Sequence, residues 1–314
     1  MRNNEKPLVS ICCITYNHAA YIRDCLEGFV MQQTNFPFEV LIHDDASTDG
    51  TADIIREYEA KFPDIIKPIY QTENQYSKGV NVGMQTLFRA QGKYTAFCEG
   101  DDFWCDPQKL QRQFDFMESH PDYSACFCGH YVINEFEHHI TPMGFPAAVF
   151  PTDVHEAQRL ILSGQHPFST VSNFFRTSAW EKIHPAFVED TQNAPMGDRQ
   201  LYFHLAGAGK IGYIRRRMSV YRRHGGSVSA HDSEAKQARF HDAACKCIIR
   251  MARKYGFDDI AEQTRPYREV PPSPWRRFLR KLKRFSRGDY RVWRQYIKSS
   301  GRDRLLCING FCPE

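Results

Sequence analysis

An α/β fold organised on a mostly parallel sheet is predicted by three observations. Strand and helix signals alternate through the first hundred residues. The first strand segment, Leu8 to Thr15, is a continuous apolar run, the pattern of a strand covered on both faces. Polar clusters fall at the carboxyl ends of those strands, where open α/β sheets bind ligands.

Leu8 to Thr15 is the first apolar run, and Tyr21 to Gln33 sets Ile22, Leu26, Phe29 and Val30 on one helical face. Phe38 to His43 reads as the second strand. Thr51 is placed to cap a helix carrying Ile54, Ile55 and Tyr58, which must stop before Pro63 because a proline restrains the residue ahead of it. Ile65 to Tyr70 is a third strand, Gly79 to Ala90 a weaker helix, and Tyr94 to Cys98 a fourth strand. Asp106-Pro107 opens a helix with Phe114 and Met117 on its apolar side. From Ser124 to Ser172 the pattern is less regular and rich in aromatics, histidine and proline. A long helix from about Glu234 to Tyr255 ends at Gly256, with Phe240, Ala244, Cys247, Ile248, Met251 and Tyr255 as its buried stripe. Pro266 to Pro274, with four prolines, reads as a linker.

A chain of 314 residues suffices for one large α/β domain with additions. The expected division is a catalytic domain over 1–230, with halves of about 7–120 and 121–230, a packed helix over 231–265, and a linker with a basic tail over 266–314. No stretch approaches the roughly 18 apolar residues of a membrane helix. Met1 to Pro7 is polar, and the apolar run behind it meets Tyr16-Asn17-His18 too soon for a signal-peptide core. The expected location is therefore cytoplasmic. The eleven cysteines are odd in number, and Cys12, Cys13, Cys98, Cys126 and Cys128 lie in strand-like runs, which favours buried reduced thiols over disulfides. Cys126, Cys128 and His130 share a strand face but lack the paired spacing of a zinc knuckle.

Net charge is +4, unevenly placed. Trp275 to Arg304 holds twelve Lys or Arg against two Asp, a net of +10 that leaves −6 for the rest. Within it Trp275, Phe278, Leu279, Leu282 and Phe285 recur at helical spacing opposite Arg276, Arg277, Arg280, Lys281, Lys283 and Arg284, a pattern suited to an anionic membrane surface. Trp293 and Tyr296 add interfacial anchors. Nucleic-acid binding and packing on the domain are the competing explanations, and no nucleic-acid partner is expected.

Glu99-Gly100-Asp101-Asp102 directly follows the fourth strand. Adjacent carboxylates on a tight loop repel and lose hydration when covered, so they are either solvated or neutralised by a cation. Mg²⁺ or Mn²⁺ takes one or two protein carboxylates and completes its shell with water and phosphate oxygens. Phe103 and Trp104 behind the loop favour an anchored site over a solvated turn. His43 to Gly50 follows the second strand in the same way: a carboxylate there can accept hydrogen bonds from a base or ribose, or the segment can be a plain turn. Thr15-Tyr16-Asn17 closes the first strand, where Tyr16 can stack on a base. Gly207-Ala208-Gly209-Lys210-Ile211-Gly212 spells a dinucleotide-binding motif in the wrong context, since a helix precedes it and a strand follows.

Leu8 to Asn17, His43 to Gly50, and Glu99 to Asp102 followed by Asp106-Pro107-Gln108-Lys109-Leu110 together resemble the successive signatures of family 2 glycosyltransferases, over roughly Pro7 to Ser229. The resemblance implies a GT-A type, Rossmann-like fold and an inverting transfer of sugar from a UDP-sugar to a hydroxyl of an acceptor glycan, in cell-surface polysaccharide synthesis. It implies that Thr15, Tyr16 and Asp45 contact the nucleoside, with Asn17 beside them. It makes Asp101-Asp102 the DXD-type element, Asp102 the principal metal ligand for Mn²⁺ or Mg²⁺, and His224 a further ligand. Arg222 or Arg223 could neutralise phosphate. Asn74 to Gly83 departs from the family pattern, and Lys78 is the candidate phosphate-binding base there. Asp198, behind Gly197 at a helix start, is the implied catalytic base, with Glu189 and Asp190 as fallbacks. The half from about 121 to 230 would face the acceptor, and a lipid-linked acceptor would place the enzyme peripherally on the inner face of the cytoplasmic membrane. A sugar-nucleotidyltransferase and a non-catalytic carbohydrate-binding scaffold are the rivals. The first would want a glycine-rich basic loop where Thr15-Tyr16-Asn17-His18 stands, and the second needs no carboxylates in a cleft.

Overall fold

The computed structural model describes residues 6–136, 139–144, 150–227 and 234–265. The tail from residue 266, with its linker and basic helix, lies outside the described residues. The elements run β1 (Val9–Thr15), α1 (Ile22–Val30), β2 (Phe38–Asp44), α2 (Thr51–Lys61), β3 (Ile66–Tyr70), α3 (Val82–Leu87), β4 (Tyr94–Glu99), β5 (Phe103–Trp104), α4 (Lys109–Ser119), β6 (Tyr123–Asn134) and β7 (His139–Met143). They continue with α5 (Val154–Leu162), β8 (Asn173–Arg176), α6 (Thr177–Asp190), α7 (Asp198–Ala208), β9 (Lys210–Arg223), α8 (Glu234–Lys254) and α9 (Asp258–Gln263).

One sheet in the order β3-β2-β1-β4-β8-β6-β9-β5 carries the molecule, with β7 paired to β6. The first four strands in that order are parallel, β8 is antiparallel, β6 and β9 are parallel to each other, and β5 is antiparallel at the edge. A mostly parallel sheet was the expectation, and the first half matches it element by element.

The second half is more regular than its composition suggests. Ser124 to Ser172 contains the twelve-residue strand β6, its hairpin partner β7 and the helix α5. Thr51 is not a cap: Gly50 holds the N-cap position, and Thr51, first in the helix, sends its hydroxyl to Asp49 Oδ1 at 2.5 Å. The long C-terminal helix ends as predicted, with Gly256 at φ 80°. The rejected glycine motif also has the predicted context, α7 before it and β9 after it.

Helices cover both sheet faces, each over its own core. On one side α1, α2 and α4 bury Leu26, Phe29, Ile55, Leu110 and Met117 against Val9, Ile11, Val40 and Ile42. On the other, α5 to α9 bury Ile161, Trp180, Leu201, Phe203, Met251 and Ile260 against Phe97, Phe127 and Phe175. The five cysteines named above are buried and unbridged. Among the described residues no helix is long and apolar enough to cross a membrane. Lys109 is wholly buried, its ammonium 3.9 Å from the Trp104 ring centroid and 2.7 Å from Gln113 Oε1. Burial pulls its pKa down.

Candidate active site

Three loops meet at the carboxyl ends of β1, β2 and β4, and hydrogen bonds join two of them. The backbone N–H groups of Asn17, His18 and Ala19 donate to Ser47 Oγ, Thr51 Oγ1 and Asp49 Oδ2 at 2.8, 2.8 and 2.9 Å. Asn17, at φ 53°, accepts from the Thr48 N–H through Oδ1 at 2.8 Å, so its side chain holds the loop in place. Tyr16 is exposed beside it, with its ring free to meet a ligand. Thr15 is buried, and its hydroxyl has no hydrogen-bond partner.

The third loop sits directly on the first. A Cβ at Gly100 would lie 2.7 Å from Thr15 Oγ1, so only glycine lets the Glu99 to Asp102 turn pack this closely. Asp102 points inward, fully buried, and accepts the Arg222 backbone N–H through Oδ1 at 2.7 Å, while Oδ2 has no partner. Asp101 points toward the cleft, where its Oδ2 lies 2.9 Å from His224 Nε2 and 4.0 Å from His18 Nε2. Burial opposes the Asp101 charge, but the hydrogen bond from His224 and the nearby His18 outweigh it and hold the carboxyl below its ordinary range. Asp102 shifts the other way, raised by burial first and then by the charges of Asp101 and Glu99.

Glu99 completes the acidic group. Its Oε2 is buried without a partner, and burial, then Asp101, then Asp198 push its pKa up. Asp198 is therefore close enough to act electrostatically on the loop, although it comes from the first position of α7. The α7 residue Tyr202 packs below and reaches Thr170 Oγ1 at 3.5 Å.

Arg222 is engaged rather than free for phosphate. Its guanidinium donates to the Asp101 carbonyl at 2.8 Å and to Asp24 Oδ2 at 3.0 Å, and lies over the Tyr21 and Phe103 rings. It ties α1, the acidic loop and β9 together. Tyr21 in turn lies 4.3 Å from the His224 ring. Sequence reasoning missed His18, Tyr21 and Asp24. His18 was the most accessible of these, since it follows the strand-closing Thr15-Tyr16-Asn17.

Other expected residues lie apart from this cluster or are already occupied. Both Asp45 oxygens accept backbone N–H groups, from Gln75 at 2.8 Å and Tyr76 at 3.0 Å, so Asp45 braces the loop after β3. Lys78 is exposed and pairs with Glu73. Asp190 is buried among His204, Lys254 and Tyr255 on the packing side of α6, and the exposed Glu189 pairs with Lys254 at 2.9 Å.

The donor set suits a hard divalent cation. Asp101 and His224 present adjacent oxygen and nitrogen donors beside partnerless buried oxygens on Asp102 and Glu99. Among the described residues no three His, Cys, Asp or Glu side chains form a ready-made cage.

A mostly parallel sheet with its acidic turn after the fourth strand defines the GT-A glycosyltransferase fold. The chain belongs to glycosyl transferase family 2, whose model matches residues 10–183. It is 36% identical over 242 residues to the uncharacterized protein Rv1520 of Mycobacterium tuberculosis, covering 75% of this chain and 66% of that one. The uncharacterized glycosyltransferase alr2836 of Nostoc is 26% identical over 251 residues, covering 79% of this chain and 74% of the relative. The fold is similar to S. aureus TarS 1-349 in complex with UDP-GlcNAc, with a TM-score of 0.54 and 18% identity over 79% of this chain and 74% of that one.

Proposed function

We propose that the protein is an inverting glycosyltransferase that moves a sugar from a UDP-sugar to a hydroxyl of an acceptor glycan. The observation that supports this best is the placement of Asp198: a carboxylate at the amino end of α7, electrostatically coupled to the acidic loop yet carried by a different element. One carboxylate group can then serve the donor while a separate one takes a proton from the acceptor.

In this reading Asp101 and His224 hold the Mn²⁺ or Mg²⁺, and Asp102 anchors the loop from behind. The ion, when bound, stabilises charge on the departing diphosphate. Thr15 and Tyr16 receive the nucleoside, while Asn17 and Asp45 shape its walls. Arg222 positions Asp101 by fixing its backbone carbonyl. Asp198 accepts the proton of the acceptor hydroxyl as that oxygen attacks the anomeric carbon. The basic tail beyond residue 266 is proposed to hold the enzyme at an anionic membrane surface near a lipid-linked acceptor.

The test is donor turnover. The parent chain should release UDP slowly from a UDP-sugar, faster with Mn²⁺ than in EDTA. Asp198→Asn should bind donor nearly as tightly but transfer to acceptor about 10²–10⁴-fold more slowly. Near-parental transfer by Asp198→Asn would remove it as the base, and equal UDP release in EDTA and Mn²⁺ would remove the metal.

A further inference from the structure

A basic pocket of about 330 Å³ lies between the loop after α6 and the outer side of α8. Gln192 and Asn193 form one wall, and Arg239, Asp242, Lys246 and Arg250 line the other. Three cations face one carboxylate, and that carboxylate is spent on Lys246, 2.8 Å away. Arg250 donates to the carbonyl oxygens of Asp190 and Gln192 at 2.8 and 3.0 Å, bonds that leave its charge uncompensated. Among the described residues neither Arg239 nor Arg250 pairs with a carboxylate.

The position of the pocket gives it meaning. Gln200 on α7 reaches Cys247 on α8 at 3.0 Å, and further along α7 the Phe203 ring centroid lies 4.8 Å from that of Tyr255, the residue that follows α8. The chain thus advances the same way along both helices, though obliquely, since about 4.5 Å of α7 stands against about 12 Å of α8, and the Arg239 to Lys246 stretch lies toward the amino end of α7. Asp198 occupies that end. The loop that forms the other wall leads directly into Asp198.

The geometry points to an oxyanion subsite for the acceptor: the pocket holds a phosphate or carboxylate on the glycan whose hydroxyl is presented to Asp198. Guanidinium groups and an ammonium together suit such an anion, through charge-assisted hydrogen bonds. Gln192 and Asn193 add neutral donors. This rests on the glycosyltransferase reading, and it makes the acceptor anionic.

The experiment uses the full chain and the double variant Arg239→Gln with Lys246→Gln. Both side chains are exposed, and Arg250 is left in place because it braces the loop. Calorimetric titration with inorganic phosphate and with glucuronate should show binding of one or both to the parent chain, weakened roughly tenfold or more in the variant, as expected when two charged partners are lost. In transfer assays the variant's KM should rise for a phosphate-bearing or uronate-bearing acceptor, with kcat and the KM for a neutral acceptor unchanged. The better-bound ion identifies the oxyanion. Equal anion affinity in parent and variant, or an unmoved KM for every anionic acceptor, overturns the subsite. Donor hydrolysis is the separate control: its absence from the parent chain defeats the glycosyltransferase reading, whereas its persistence without anion binding defeats this inference alone.

Discussion

The Asp101 carboxylate meets His224 Nε2 at 2.9 Å, while Asp102 turns inward to accept the Arg222 N–H at 2.7 Å. Nothing in the spelling Glu99-Gly100-Asp101-Asp102 reveals which acid faces the cleft, because a two-residue turn decides it. Sequence reasoning assigns the leading ligand role to Asp102, and the function proposed above assigns it to Asp101. The two predict different variants. Asp102 is fully buried and its one bonded oxygen accepts the Arg222 N–H, an interaction that an amide oxygen can also make. Asp102→Asn should therefore keep most Mn²⁺ affinity, and Asp101→Asn should lose about tenfold or more, one full charge-assisted ligand. Titration of Mn²⁺ followed by electron paramagnetic resonance separates the two, and the reverse order would return the leading role to Asp102.

Among the elements, α6, α7 and α8 are joined by one side chain. Asp190 accepts from His204 Nε2 at 2.9 Å, Lys254 Nζ at 2.9 Å and the Tyr255 hydroxyl at 2.8 Å. Its place as a fallback base is hard to reconcile with such saturation. Burial opposes its charge, but Lys254 and Tyr255 more than compensate and hold its carboxyl below the ordinary value. A carboxylate with a depressed pKa contributes stability that is present above its unfolded pKa of about 4 and is lost as pH falls through the folded value. Asp190→Asn should cost about 1–2 kcal/mol at neutral pH, because Lys254 is partly exposed and keeps Glu189 as a partner. The gap between parent and variant should close in acid below about pH 4. Denaturant unfolding at neutral and acid pH measures both, and a gap that persists unchanged in acid would contradict the assignment.

For the molecule as a whole, β1 and β4 were legible because each is buried along nearly its whole length and reads as an apolar run, and β2 and β3 because they continue the alternation of strand and helix signals around them. The second half was not: β6 buries Ser124 to His130 without a break and β9 is buried only in blocks over its fourteen residues, so neither shows the alternation of a half-buried strand, and His130 and the arginines of β9 mask the strand signal. The cluster around Asp101 was legible in its acids and in His224, but His18, Asp24 and Tyr21 enter it only through tertiary packing. His130, deep in β6, shows what this sheet imposes on its polar members. Burial alone lowers its pKa to about 4, and its Nδ1 has no partner. The unfolded chain therefore takes up a proton first, and stability should fall as pH drops from about 6.5 toward 4. His130→Gln should flatten that part of the melting-temperature profile, and an unchanged slope would show that other groups set it.

The pairing of β6 with β9 slips where Gly129 crosses from Cys128↔Ile214 to Gly129↔Arg217 and then His130↔Ser219. Three residues more are threaded into β9 than into β6 over this crossing, and Gly129 makes room for them, since a Cβ there would lie 2.9 Å from the Arg217 side chain. Because side chains alternate along a strand, an odd insertion reverses phase. The slip thus acts as a half-wave plate: it determines which face of the last five residues of β9 carries Arg222, and so whether that guanidinium meets Asp24 or solvent. Deleting one residue within Arg215–Arg217 should turn Arg222 outward and weaken Mn²⁺ binding. Deleting two should restore the alternation and retain more of that affinity, although it removes more chain.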